Sequence, residues 1–189
     1  MYLSDYSMAP PTRTPPTAWI DAGLKALAYG GPDAVRVDRL AKSLSVTRGS
    51  FYAQFASRQA LLDAILDRWE RASVDEVLKR VEEGGGDARA KARRAGVLTF
   101  SEGLLPIDLA IRDWARRDDA VAERLRLVDN RRMDFLRRQF ATICDDDEDI
   151  EARSVLAFSL LIGNYFMAAD HGSRTREEVL EIAAKHLLG

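Results

Sequence analysis

Val35-Arg36-Val37-Asp38-Arg39-Leu40-Ala41-Lys42-Ser43-Leu44-Ser45-Val46-Thr47-Arg48-Gly49-Ser50-Phe51-Tyr52 is the stretch on which the reading of this chain turns. Val37, Leu40, Ala41 and Leu44 recur at the spacing of one helical face, which predicts a short helix over 37–44. Thr47 is placed to cap a second short helix that runs to about Gln54. Two short helices joined by so tight a turn have the form of a helix-turn-helix, in which the second helix enters the major groove of duplex DNA. Leu40, Ala41, Leu44 and Val46 would lock the pair together. Gly49 and Ser50 are small where bulky groups would hold the backbone away from the base edges. The same spacing also suits a plain helical hairpin, so charge has to be weighed with it.

The charge pattern favours DNA. The 189 residues carry a formal net charge of −2, which excludes a uniformly basic coat but not a basic patch, since only the contacting face must attract phosphates. Residues 36–58 hold five cations (Arg36, Arg39, Lys42, Arg48 and Arg58) against Asp38 alone. The remainder after residue 70 leans acidic.

Working outward, Pro10, Pro11, Pro15 and Pro16 predict a flexible, non-helical arm over 1–16. Thr17 is a candidate cap for a helix with Ile20, Leu24 and Leu27 on one stripe, stopped by Gly30-Gly31-Pro32. Ser57 is a candidate cap for a long helix over 58–81, ended by Gly84-Gly85-Gly86. Further helices are predicted near 88–98, 107–116, 120–142, 150–169 and 176–187. Asp145-Asp146-Asp147-Glu148-Asp149 reads as a solvated turn suited to a helix N-terminus, and Thr175 with Glu178 as a capping box. No long alternating segment is present. The expected fold is all-α: an N-terminal three-helix module with a helix-turn-helix over 17–66, followed by a larger helical bundle over 67–189.

Composition limits the chemistry. Hydrophobic residues make up 47% of the chain and charged residues 31%, the balance of an ordinary folded protein. One cysteine, Cys144, excludes an internal disulfide and a cysteine-rich zinc site. Two histidines, His171 and His186, cannot form a histidine-rich metal cluster. Neither a nucleophile with a base nor a glycine-rich phosphate loop can be identified. No catalytic residue, metal site or cofactor is expected. No apolar run approaches a membrane span and no secretory signal pattern opens the chain, so a cytoplasmic protein with no membrane partner is expected.

Phe51-Tyr52-Ala53-Gln54-Phe55-Ala56-Ser57-Arg58-Gln59-Ala60-Leu61-Leu62 resembles the end of the DNA-binding domain of the TetR family. Tyr52, Phe55, Ser57 and Leu61 stand at matching positions. Gln54 replaces the usual His, and Arg58 the usual Lys. Ser45 stands before Val46 where the family's turn usually has Gly, whose place relieves a left-handed backbone angle. The resemblance covers 17–66 strongly. Ile111-Arg112-Asp113-Trp114-Ala115 and Val128-Asp129-Asn130-Arg131-Arg132-Met133 also look like the ligand-binding portion of many members.

The resemblance implies a homodimer with one recognition helix per subunit, and a ligand chamber in each C-terminal bundle. The expected function is a ligand-responsive transcriptional repressor that binds a palindromic DNA operator and is released by a small, largely apolar effector. A helical protein-interaction adaptor without sequence-specific DNA binding, and a ligand-independent DNA-binding regulator, are the alternatives. Candidate DNA contacts are Arg36, Arg39, Thr47, Arg48, Gly49, Ser50, Tyr52 and Arg58. Arg48 can read guanine through a two-pronged contact or hold a phosphate. Tyr52 matches the family's phosphate-contacting tyrosine, with a core ring as its alternative. Candidate chamber residues are Trp69, Phe100, Leu104, Trp114, Met133, Leu136, Phe158, Ile162 and Phe166, each of which also suits ordinary core. Arg131 or Asn130, if buried, could orient an acid or carbonyl group. The candidate dimer surface is Leu156, Leu160, Gly163, Leu180, Ala184 and Leu187, on the last two helices.

Overall fold

A computed structural model describes residues 14–188, so most of the predicted arm lies outside the described residues. Among the described residues all regular structure is helical. It comprises α1 (Pro16–Ala34), α2 (Val37–Ser43), α3 (Arg48–Tyr52), α4 (Arg58–Glu70), a π-helical turn (Arg71–Asp75), α5 (Glu76–Glu83), α6 (Ala88–Thr99), α7 (Leu105–Ala115), α8 (Asp119–Phe140), α9 (Asp147–Phe166) and α10 (Arg176–Leu188). The chain divides into two compact units, one ending at Leu66 and the other starting at Asp67.

In the first unit, α1 starts one residue before the expected Thr17 cap. Pro15 is the extended capping residue and Pro16 occupies the first turn, where a missing N–H costs nothing and the fixed φ suits a helix. The predicted stop is a real break: Gly30 and Gly31 leave helical geometry, Gly31 with φ +66°, before one further turn at Pro32. The core joins Trp19, Leu27, Val35, Leu40, Phe51, Leu61 and Ile65, each no more than 3% exposed. Gly23 permits a close approach of α1 to α4, since a β-carbon there would lie 2.4 Å from Ile65 Cδ1.

The turn between α2 and α3 closes as a Schellman motif. Val46 N–H donates to the Ala41 carbonyl at 2.9 Å and Ser45 N–H to that of Lys42 at 3.1 Å. This geometry requires a left-handed residue at Ser45, whose φ is +57°. A non-glycine residue pays about 1–2 kcal/mol in that region.

In the second unit the expected helix over 58–81 is interrupted. The π turn at Arg71–Asp75 separates α4 from α5, with Ser73 Oγ donating to the Trp69 carbonyl at 2.6 Å. Periodicity cannot reveal such a turn, because one inserted residue shifts the apolar stripe without removing it. The core is built by Val77, Val81, Ala92, Ala95, Phe135, Leu136 and Phe140 from α5, α6 and α8, with Ala157 and Phe158 of α9 against it. The acidic run starts α9, where Asp146 caps the Asp149 N–H at 3.0 Å. At α10 the capping box closes both ways, Thr175 N–H to Glu178 at 2.7 Å and Glu178 N–H to Thr175 Oγ1 at 3.2 Å.

Candidate nucleic-acid interface and effector cavity

Phe51 sets the orientation of α3. Its ring is fully buried, edge-on to Trp19 at 5.2 Å and stacked on Phe55 at 5.5 Å. With Phe51 held inward, Tyr52 stands 56% exposed, and Thr47, Arg48 and Gly49 are exposed as well. The Thr47 hydroxyl makes no capping bond; instead Ser50 Oγ donates back to the Thr47 carbonyl at 2.9 Å. Thr47 therefore bounds α3 by its extended backbone, and its hydroxyl remains available to a partner.

Arg36, Arg48, Tyr52 and Arg58 line one shallow depression with Asp33, Val37 and Asp38. Arg58 is partly committed: Nε donates to the Val35 carbonyl at 2.7 Å and a terminal nitrogen to the Pro32 carbonyl. It fastens the connection between α1 and α2, leaving only its remaining N–H groups to face outward. Arg39 lies apart, in an open groove with Lys25, Tyr29 and Ser43. Among the described residues no carboxylate lies within ion-pair distance of Arg36, Arg39, Lys42 or Arg48. Unpaired cations on an exposed helix pair are what a phosphate backbone requires.

The second unit holds a partly open, mainly apolar cavity of about 40 Å³. Val74, Val77, Ala95, Phe100, Leu136 and Phe158 are on its wall, with Ser73, Thr99 and Arg132 as its polar members. Arg132, 7% exposed, belongs to a buried ion network. Its terminal nitrogens reach Asp108 at 2.9 Å and Asp129 at 3.2 Å. Arg112 joins the same carboxylates, bonding Asp108 at 2.8 Å through Nε and Asp129 at 2.8 Å through both terminal nitrogens. Burial alone would raise the Asp108 carboxyl, but Arg132 and then Arg112 outweigh it and hold it below its ordinary range. Arg132 Nε has no protein acceptor among the described residues.

The sequence model of the bacterial regulatory proteins of the tetR family matches residues 20–65, the segment that contains the helix-turn-helix and its supporting helices. Residues 20–65 are thus similar to the DNA-binding segment of the tetR family. No curated protein matches the sequence. Among solved structures, a TetR-family transcriptional regulator from Streptomyces coelicolor superposes with a TM-score of 0.72 at 19% identity, over 91% of this chain and 93% of that one. AibR, solved in complex with isovaleryl coenzyme A and operator DNA, gives a TM-score of 0.66 at 16% identity, over 92% and 97%. A transcriptional regulator of the TetR/AcrR family from Thermobifida fusca gives 0.63 at 19%, over 92% and 96%. The TetR fold thus extends through the second unit as well as the matched segment.

The cavity takes in only part of the expected chamber. Phe100, Leu136 and Phe158 line it. Trp69 and Trp114 are buried away from its wall, and Leu104 and Met133 are partly buried against the core. Ile162 is half-buried, whereas Phe166 is 67% exposed. The polar anchor expected at Arg131 or Asn130 needs correction. Both are exposed, and Arg131 pairs with Asp75. The inward arginine is Arg132, one residue and about 100° further around the helix.

Of the candidate dimer residues, Leu156 is 55% exposed, and Leu160, Gly163, Leu180, Ala184 and Leu187 are half-buried. A β-carbon at Gly163 would meet nothing within 4 Å. Val155, Tyr165 and Met167 add exposed apolar surface along and just beyond α9, which the expected set did not include. Arg153 bonds the Leu187 carbonyl at 2.9 Å and links α9 to α10. Among the described residues no group of three or more metal-binding side chains comes together, and no helix is long and apolar enough to cross a membrane. Cys144 is pushed up by its half-buried position and by Asp149, which makes it a poor nucleophile.

Proposed function

We propose that the chain is a ligand-responsive transcriptional repressor that binds a palindromic operator as a homodimer and releases it on taking up a small, mainly apolar molecule. The observation that carries DNA binding is the exposed start of α3, with Thr47, Arg48 and Tyr52 free of the buried Phe51 and flanked by unpaired cations. In this reading residues 17–66 are the DNA-binding domain and 67–189 the effector and dimerisation domain. Arg48 contacts a base or a phosphate, Tyr52 and Thr47 contact phosphates, and Ser50 acts through the shape of α3 because its hydroxyl is already engaged. Leu156 and the neighbouring apolar side chains of α9 and α10 pack against a second copy, so that two recognition helices meet successive major grooves.

The cavity supports the effector half. At about 40 Å³ it holds little more than water-sized molecules, well below the roughly 300–1,000 Å³ of a small-molecule pocket. An effector must therefore enlarge it. Ser73 and Val74, on the π turn, are part of its wall, and α4 runs unbroken from Arg58 to Glu70 just before that turn. A molecule that fits only the enlarged state favours that state over the DNA-competent one. AibR, which was solved with both a ligand and operator DNA, sets a precedent for one chain of this fold holding both.

Titration of a randomised duplex library tests the reading. Affinity should fall steeply with salt, as expected of cations displacing condensed counterions. Arg48→Ala should alter the selected sequence if Arg48 reads a base, and weaken all sequences alike if it holds a phosphate. No detectable duplex binding at low salt would refute the repressor and favour a protein-binding adaptor.

A further inference from the structure

The buried arginine in the cavity wall has one nitrogen, Nε, without an acceptor among the described residues. The terminal nitrogens of Arg132 are engaged by Asp108 and Asp129, while Nε meets no protein acceptor although Arg132 is only 7% exposed. Buried donors are nearly always satisfied, so an unmatched N–H on a residue that lines a cavity marks where an acceptor belongs once the cavity enlarges. The surrounding wall, from Val74 and Val77 to Leu136 and Phe158, is apolar.

Charge selects the kind of acceptor. Arg112 and Arg132 face Asp108 and Asp129, two cations against two anions joined by direct hydrogen bonds. The network is already neutral. A carboxylate or phosphate ligand would add a third buried anion beside two carboxylates, with desolvation opposing it. An ammonium ligand would face Arg132 with no carboxylate left over.

From this we infer that the effector is an uncharged molecule with an apolar body and one oxygen acceptor of the carbonyl or hydroxyl class, seated against Arg132 Nε. The inference rests on the reading of this cavity as the effector site and names the chemistry that site accepts. Arg132 is the specificity-determining residue: its charge is spent on the network, and its unmatched Nε–H distinguishes an oxygenated ligand from a hydrocarbon of the same shape.

Three probes of similar size separate the possibilities: cyclohexanone, methylenecyclohexane and cyclohexanecarboxylate, each titrated calorimetrically into the full-length chain at neutral pH. The ketone should bind about tenfold or more tightly than the isosteric alkene, the discrimination expected of a hydrogen bond from a charged donor, and the carboxylate should bind more weakly than the ketone. The Arg132 Nε–H resonance should shift with the ketone and not with the alkene. Arg132→Lys keeps a cation for the two aspartates but removes Nε, and should abolish the ketone preference. If that variant does not fold, the comparison of probes on the native chain decides the matter. Equal affinity for ketone and alkene, a preference for the carboxylate, or no binding of any probe at millimolar concentration would overturn the inference. Titration of the same samples with duplex DNA keeps the two readings apart: a chain that prefers the ketone yet never binds DNA refutes the repressor and leaves the cavity's chemistry standing.

Discussion

Asp108→Asn is the sharpest perturbation of the C-terminal bundle. The Asp108 side chain is 1% exposed and receives Arg112 at 2.8 Å and Arg132 at 2.9 Å. Asparagine keeps the shape and one acceptor oxygen, but it puts an NH2 donor against a guanidinium and leaves the network with one excess positive charge. Removing one partner of a buried pair costs about 3–5 kcal/mol, because the remaining charge stays in the interior without its counterion. With a urea dependence of about 2 kcal/mol per molar, the midpoint of the second unit's unfolding should fall by roughly 1.5–2.5 M.

Asp113→Asn is the control. Its ion pair with Arg117 lies on the surface at the C-terminal end of α7, with side chains 67% and 64% exposed, and its loss should cost less than about 1 kcal/mol. The pH dependence adds a second check. The two arginines depress the Asp108 pKa in the folded protein, so the stabilisation is present above the carboxyl's unfolded pKa and is lost as pH falls through the folded one. The difference between wild type and Asp108→Asn should be flat through neutral pH and should shrink only in acid, below the ordinary aspartate range. Circular dichroism across urea gradients at several pH values measures it. A cost for Asp108→Asn equal to that of Asp113→Asn, or a difference that grows in acid, would refute the view that a desolvated ion network organises α7 and α8.

Tyr52→Phe should leave the fold unchanged and weaken operator binding about five- to tenfold through loss of one hydrogen bond to phosphate; fluorescence anisotropy on a selected operator measures it, and unchanged affinity would remove Tyr52 from the interface. Ser45→Gly should stabilise the first unit by about 0.5–1 kcal/mol, the relief of the left-handed backbone less the extra freedom of glycine in the unfolded chain, read as a higher denaturation midpoint. Leu156→Glu should lower dimer affinity by more than about tenfold, because an unpaired carboxylate would be buried between subunits. Sedimentation over a range of concentrations decides this, and a wild-type profile would move the interface off this part of α9.

The local architecture was readable because its causes are local. The spacing of Val37, Leu40 and Ala41, the left-handed demand at Ser45, the cap at Ser57 and the box at Thr175 and Glu178 all depend on residues within one or two turns of each other. The cations from Arg36 to Arg48 needed no fold to be counted. Side-chain direction over a helix is a different matter. Arg131 and Arg132 are identical in type and adjacent in sequence, yet about 100° apart around α8; only packing against Asp108 of α7 put Arg132 inside and left Arg131 to pair with Asp75 on the surface. Arg58 likewise reads as a free cation until the connection between α1 and α2 brings two carbonyls to it. The π turn at Arg71–Asp75 and the cavity beside it follow from the fit of several helices at once. A hydrophobic stripe records that a face is buried, whereas the neighbour it meets and the space left between them are properties of the packed bundle.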